Sequence, residues 1–496
     1  MPVINTNLSA LIAQNAARAS ELQSSQSMER LSTGLRINSA KDDAAGLAIA
    51  TRMTSAIRGL GISLKNASDG ISMAQTAEGA LGNITDALQR LRELAVQSAN
   101  GSYSNTERSF LDSESTGLIA EIARIGAQTN FNNSKLLNGT FGSQTFQLGY
   151  LATDSMVFGG IEDSQASALG NHKLVMDGTG LGALVAASST ATANTVSNVS
   201  TSTLTTASGG TTAAISIAAA DSAKQVASKI NTAANAIGVT AVATNAATLS
   251  GVAANGTISF TLSGAASASV SAAITNTSDL TALAAAINGV SNSTGITATF
   301  STPSVKSSIQ LTSNDGSDIK IANYVHSATA NTTFGEGPVD LAGGTGATTT
   351  LTNANHSSVK SGIVTLTSTK GAITTASGNT TIFTTATQAS TFDNVQGISI
   401  ASQSGASAAL SVIDSALTQV NNSRANLGAL INRFETSISS QSNSIMNLSE
   451  SRSRILDADY AKETSLLAKS MIIQQAATAM LGQANQNPML VLHLLK

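Results

Sequence analysis

With 496 residues the chain is long enough for about three domains. It has no Cys and no Trp, 3% aromatic residues and a formal net charge of −3, which excludes a disulfide framework, a cysteine metal site and the basic footprint of a nucleic-acid binder. No apolar run reaches the ~18 residues of a membrane span, and Met1 to Asn7 lacks the basic and apolar stretches of a secretory signal, so neither a membrane partner nor a cleaved leader is expected.

In chain order, Ile4, Leu8, Leu11, Ile12, Ala19, Leu22, Leu31 and Leu35 form a first apolar stripe. Such a helix is marginal alone, yet too apolar to remain a solvated tail. Asp42 or Asp43 can then cap a long helix, because a carboxylate accepts orphan backbone N–H groups. Within it Leu60, Ala67, Ala74, Leu81, Leu88 and Ala95 recur every seven residues, and Asn100-Gly101 ends it. Gln89, Arg90, Arg92, Glu93 and Glu114 read as a charged, solvated face. A third helix has Leu111, Leu118, Ile122 and Ile125 on one side. Three such stripes with no other core nearby must bury against one another.

The composition then changes. Residues 174–400 hold 14 charged residues in 227 positions, against 41 in the other 269. Ser, Thr, Ala and Gly with short β-branched runs predict an inserted, mainly β (α+β) outer region. It carries a weak repeat, at about 215–250 and 270–321. Ala227-Ser228-Lys229-Ile230-Asn231 matches Ala284-Ala285-Ala286-Ile287-Asn288 at an offset of 57 residues. Each copy reads strand, short helix, strand, and Asn314-Asp315-Gly316 marks a turn. Gly343 to Gly346 reads as a turn in a Thr-rich loop.

After residue 400 the helical pattern returns. Ile413, Val420, Leu427, Phe434, Gln441, Leu448 and Ile455 are seven apart, and Leu417, Arg424, Ile431, Ile438, Ile445, Arg452 and Asp459 form an interleaved row. Two such rows predict a coiled-coil seam, and the polar positions Gln441, Arg424 and Arg452 can fix its register. A last apolar stripe runs through Leu466, Leu467, Ile472, Ile473, Ala477, Met480, Leu481, Val491, Leu494 and Leu495.

Catalytic and cofactor signatures are missing. The histidines are His172, His326, His356 and His493, and none belongs to a metal-binding helix pair. No nucleophile elbow or phosphate loop occurs. Neither an enzyme nor a cofactor is expected, and the Asn-x-Ser/Thr triplets occur at the level that composition alone produces.

Long motifs at both ends carry a family resemblance. They include Val3-Ile4-Asn5-Thr6-Asn7, Glu29-Arg30-Leu31-Ser32-Thr33-Gly34-Leu35-Arg36-Ile37-Asn38 and Leu88-Gln89-Arg90-Leu91-Arg92-Glu93-Leu94 at the N-terminal end. At the other end are Ala458-Asp459-Tyr460-Ala461-Lys462-Glu463 and Gln474-Gln475-Ala476-Ala477-Thr478-Ala479-Met480-Leu481. Over roughly residues 1–150 and 405–496 the chain resembles bacterial flagellin, the filament subunit. A hook-filament junction protein with similar ends is the alternative.

The resemblance implies an inner coiled-coil domain from 1–40 and 456–496, a helical rod from 41–173 and 401–455, and a variable outer region at 174–400. It implies self-assembly through seams at Leu8, Leu11, Leu22, Leu31, Leu467, Ile473, Leu481 and Leu494. It also implies secretion to the flagellum by the type III export apparatus, an export chaperone, and filament cap and hook-junction proteins as partners. Finally, it implies recognition by the host's Toll-like receptor 5 through Gln89, Arg90, Leu94 and Glu114. Sugar on the Ser/Thr-rich outer surface is a further expectation.

Overall fold

The computed structural model of the chain describes residues 6–176, 178, 180–189, 199–202, 204–206, 215–218, 221–302, 305–337, 347–375 and 388–494. Among them are eight α-helices: α1 (Leu8–Thr33), α2 (Ala44–Ala99), α3 (Asn105–Gln128), α4 (Ala223–Ala234), α5 (Thr281–Gly289), α6 (Ser291–Thr294), α7 (Gln403–Leu456) and α8 (Tyr460–Leu494). Two compact units are formed. One comprises Met1–Thr76, Gly142–Gly160 and Asn426–Lys496, and the other Ala77–Phe141 and Ile161–Ala425.

In the first unit, Asn7 caps α1 by accepting the Ala10 N–H at 3.0 Å, and Gly34 ends the helix in the left-handed region at φ 72°. Of the two candidate caps for α2, Asp43 takes the role, accepting the Gly46 N–H at 2.8 Å. Asp42 instead accepts the Asn38 and Ser39 N–H groups and holds the preceding turn. Those bonds, Ser39's first, keep its carboxyl below the ordinary carboxylate range.

Every member of the α2 row from Leu60 to Ala95 is buried. A second buried row, Ser63, Gly70, Ala77, Ile84, Leu91 and Ser98, lies three residues on. On α7 the row Ile413, Val420, Leu427, Phe434 and Gln441 is likewise buried. Its partner row is Ala416, Ser423 and Leu430, three residues along, and not the row of Leu417, Arg424, Ile431 and Ile438, whose members are half-buried. Two spacings, three and four, satisfy a heptad, and the small Ala416 and Ser423 occupy the inner one. Large flanking chains then cover the seam from outside.

The polar seam residue Gln441 is fully engaged. Its Oε1 accepts from Ser63 Oγ at 2.6 Å, while its Nε2 donates to the Leu148 carbonyl and to Ser437 Oγ. Leu148 follows the first strand of a hairpin, Gln144–Gln147 paired with Ser155–Phe158. Phe146 of that hairpin stands edge-on to Phe434, with ring centroids 5.3 Å apart.

In the second unit, Ser104 and Glu107 form a capping box for α3. The buried face of α3 is Arg108, Ser115, Ile119, Ile122 and Ile125, so Leu111 and Leu118 lie at its margin. Arg108 turns the helix this way. Its Nη2 donates to the Asn100 and Tyr103 carbonyls, at 2.9 and 3.0 Å, satisfying backbone groups where α2 ends.

From residue 170 to 394 the unit is mainly β, and among the described residues every strand pairing there is antiparallel. Gly170–Met176 pairs with both Thr391–Asn394 and Ile363–Ser368, so the boundary expected at 173/174 cuts a strand. The polypeptide enters and leaves this region at Leu169 and Val395, where the Val395 N–H meets the Leu169 carbonyl at 2.9 Å. Val239–Ser250 runs through an eight-stranded sheet, and a four-stranded sheet is ordered Ser267–Ile274, Gly256–Ser263, Ile319–His326, Ser358–Lys360. Thr348–Leu351 is a strand and not a loop; Gly343–Gly346 lie outside the described residues.

The internal repeat is matched bond for bond. Asn231 clamps residue 241 through both backbone groups, donating to its carbonyl at 2.8 Å and accepting its N–H at 2.7 Å. Asn288 does the same to Ala298, at 2.9 and 2.8 Å. The glycine before each following strand, Gly238 or Gly295, has φ 76° or 72°, a conformation other residues rarely adopt. Val226, Ile230 and Val239 are buried in one copy, and Leu283, Ile287 and Ile296 in the other.

Candidate functional site

The ends of the chain pair in antiparallel fashion. Asn7 Nδ2 donates to the Ala484 carbonyl at 2.7 Å, Ser20 Oγ to the Ser470 carbonyl at 2.6 Å, and Ser27 Oγ to Glu463 Oε2 at 3.0 Å. Arg30 adds an ion pair to Glu463 at 3.0 Å. The residues buried along this contact are Ala10, Ala13, Ser20 and Ser27 on α1, with Glu463, Ser470, Ala477 and Ala484 on α8. Small side chains let two helices approach closely, which exposes backbone carbonyls to serine hydroxyls across the seam. Where α1 ends and α8 begins, the Arg36 and Ala458 N–H groups bond to the Leu456 and Gly34 carbonyls.

The residues expected to form the self-assembly seams lie mostly outside this contact within the chain. Leu8 is 67% exposed, Leu22 74% and Ile473 41%, and Leu11 also faces out. Leu31, Leu467 and Leu481 are half-buried; the Leu494 side chain lies outside the described residues. Large apolar residues are excluded from a contact built on Ala and Ser, so they collect on the outer surfaces of the pair. Met28, Ile472 and Met480 join them. A 480 Å³ hollow lined by Ile12, Ala13, Ala16, Ile473, Ala477 and Met480 runs between the two helices. The small-residue heptad was present in the sequence at positions 13, 20 and 27 and at 470, 477 and 484, with Glu463 in the same row, masked by the more conspicuous leucines.

The charged face on α2 is a network in the second unit. Arg90 bridges Glu93 on its own helix and Glu114 on α3, both at 2.8 Å, and Arg92 meets Asp414 of α7 at 2.7 Å. Gln89, Arg90 and Glu114 are exposed. Leu94 is only 1% exposed and belongs to the core of this unit, so it is not part of the surface that the resemblance assigned to it.

Among the described residues no group of three or more His, Asp or Glu side chains is placed to hold a metal, and no helix is long and apolar enough to cross a membrane.

Residues 4–142 match the family model of the bacterial flagellin N-terminal helical region, and 410–495 that of the C-terminal helical region. The chain is 38% identical to B-type flagellin of Pseudomonas aeruginosa, over 99% of each chain. It is 33% identical to flagellin B of Vibrio cholerae, again over 99% of each. The solved flagellar junction protein FlgL from Legionella pneumophila is 13% identical, with 83% of this chain and 100% of that chain covered and a TM-score of 0.35. With both terminal regions matched and a relative aligned end to end, this chain belongs to the bacterial flagellin family, the structural subunits of the flagellar filament.

Proposed function

We propose that copies of this chain polymerise into a swimming filament by burying the outer apolar surfaces of their α1–α8 pairs against one another. The observation that carries this reading is the division of labour on those helices: Ala and Ser make the contact within the chain, while Leu8, Leu11, Leu22, Ile472, Ile473 and Met480 remain exposed. Large apolar side chains gathered on an exposed face mark an interaction surface. The subunit travels unfolded through the flagellar type III export apparatus, held by an export chaperone, and adds beneath a cap protein to a filament seated on hook-junction proteins. Once extracellular, the exposed cluster of Gln89, Arg90 and Glu114 engages Toll-like receptor 5 of a host. The uncharged Ser/Thr surface of the outer region carries O-linked sugar, which intact mass measurement of native filaments tests.

The assembly reading is tested by Leu22→Asp and Ile473→Asp. Each places an unpaired charge in an interface, which is costly when buried. Electron microscopy should find no filaments, while thermal unfolding of the unpolymerised chain keeps its midpoint. Normal filaments from both variants would refute the proposed seam.

A further inference from the structure

We infer that the strand Ser267–Ile274 is a docking edge that pairs with the same strand of a second copy of this chain. In its four-stranded sheet it is hydrogen-bonded on one side only, to Gly256–Ser263. Among the described residues no other backbone group bonds to it. An open edge presents a row of unmet N–H and C=O groups, and natural proteins blunt such rows with charge, proline, bulges or covering segments.

The other edges of these sheets are blunted in those ways. Thr391–Asn394 and Thr348–Leu351 have four residues each. Ile296–Thr302 loses its register between Phe300 and Thr302. Ser358–Lys360 is covered, since the Val185 N–H bonds to the Val359 carbonyl and the Ser188 N–H to the Ser357 carbonyl, both at 2.9 Å. Ser267–Ile274 differs on every count. It has eight residues, it keeps one unbroken register along its neighbour, and it contains no charged residue and no proline.

Its side chains name a second copy as the occupant. Ser267, Ser269, Ser271 and Ala273 face out, while Val270, Ala272 and Ile274 face the core beneath α5. In an antiparallel pair, opposed residues share a face. A two-fold axis at Ser271 sets Val270 against Ala272 and Ala268 against Ile274 on the core side. It sets Ser271 against Ser271 and Ser269 against Ala273 on the outer side. Large residues meet small ones, no charges oppose, and two four-stranded sheets become one of eight strands. Neighbours in a helical polymer are related by rotation and translation, whereas this contact is isologous. It therefore joins outer regions of different filaments, or of free subunits.

The chain has no cysteine of its own, which makes the test clean. Full-length Ser271→Cys is oxidised beside Ser228→Cys, an exposed position on α4. Pairing that centres on residue 271 raises its effective concentration, so the disulfide-linked dimer of Ser271→Cys should exceed that of Ser228→Cys by about tenfold or more. In full-length chains that carry Leu22→Asp, which removes assembly through the termini, Ser271→Lys places like charges across the axis and should abolish the remaining association measured by sedimentation, with the melting midpoint unchanged. Equal cross-linking at 271 and 228 would overturn the inference, as would association of the Leu22→Asp, Ser271→Lys chain at the level of Leu22→Asp alone.

Discussion

Asp318 is an acid held in an unfavourable place. Burial pushes its carboxyl up to about 6, against the opposing pull of the Gly362 N–H and of Lys320 and Lys360. One of its oxygens has no hydrogen-bond partner. In an unfolded chain the group titrates near 4, so between about pH 4 and 6 the folded state binds more protons than the unfolded state. Stability from this group therefore falls as pH rises through that window and stays low above it, by at most about 3 kcal/mol. Asp318→Asn removes the charge and keeps an acceptor for Gly362. It should raise the denaturant midpoint of this unit at pH 7.5 and have little effect at pH 4. An equal shift at both pH values would exclude titration as the cause.

Arg90 poses the opposite case. Its pairs with Glu93 and Glu114 are exposed, and exposed pairs contribute roughly 0–1 kcal/mol. Arg90→Ala should leave melting nearly unchanged while weakening receptor signalling by depolymerised subunit, since arginines in interfaces often contribute more than 2 kcal/mol. Signalling equal to that of the parent chain would remove Arg90 from the proposed surface.

At the scale of elements, two glycines of one helix make opposite predictions. A Cβ on Gly70 would lie 2.6 Å from Phe434 Cζ. That ring is fully buried and braced by Phe146, so it cannot swing away. Gly79 has open space where its Cβ would stand. Alanine improves helix propensity by about 1 kcal/mol at either site, but overpacking at Gly70 costs typically 1–3 kcal/mol. Gly79→Ala should raise the melting midpoint of the unpolymerised chain and Gly70→Ala should lower it. A rise in both would mean that the Phe434 pocket can relax.

The same elements show what periodicity discloses. The α2 row and the α7 row from Ile413 to Gln441 were legible because leucine, isoleucine and phenylalanine announce a seven-residue repeat. The second α7 row was assigned four residues on because Leu417, Ile431 and Ile438 are larger than Ala416 and Ser423. Hydrophobicity ranks side chains by size, whereas a close helix contact selects against size. The α1–α8 seam went unread for the same reason, and Leu94 was assigned to a surface because a motif records sequence and not burial. The Asn231 and Asn288 clamps were signalled by the 57-residue repeat, although only folding shows that each asparagine holds the strand that follows.

For the whole molecule, the question is whether the outer region is needed for the helical part to fold and assemble. Gly170 and Asn394 are directly opposed strand residues, so their Cα atoms lie about 5 Å apart. Just below them the Val395 and Gln396 N–H groups bond to the Leu169 and Ala166 carbonyls, and Gln419 of α7 binds both backbone groups of Gly170. These contacts hold the two strands of the neck together from the helical side. Insertions whose ends adjoin are readily removed, and a loop of two or three glycines spans this gap at little entropic cost. Replacing residues 171–393 by such a loop should leave a soluble chain that retains the ion pair of Arg92 with Asp414 and polymerises into filaments of smaller diameter. The cut belongs at 170 and 394, because a cut at 174 and 400 leaves half of Gly170–Met176 without its sheet and removes Val395, which is fully buried. The two deletions can therefore be compared directly, by circular dichroism for the monomer and electron microscopy for the polymer. If the shorter deletion folds but forms no filament, then contacts made by the outer region are required for assembly.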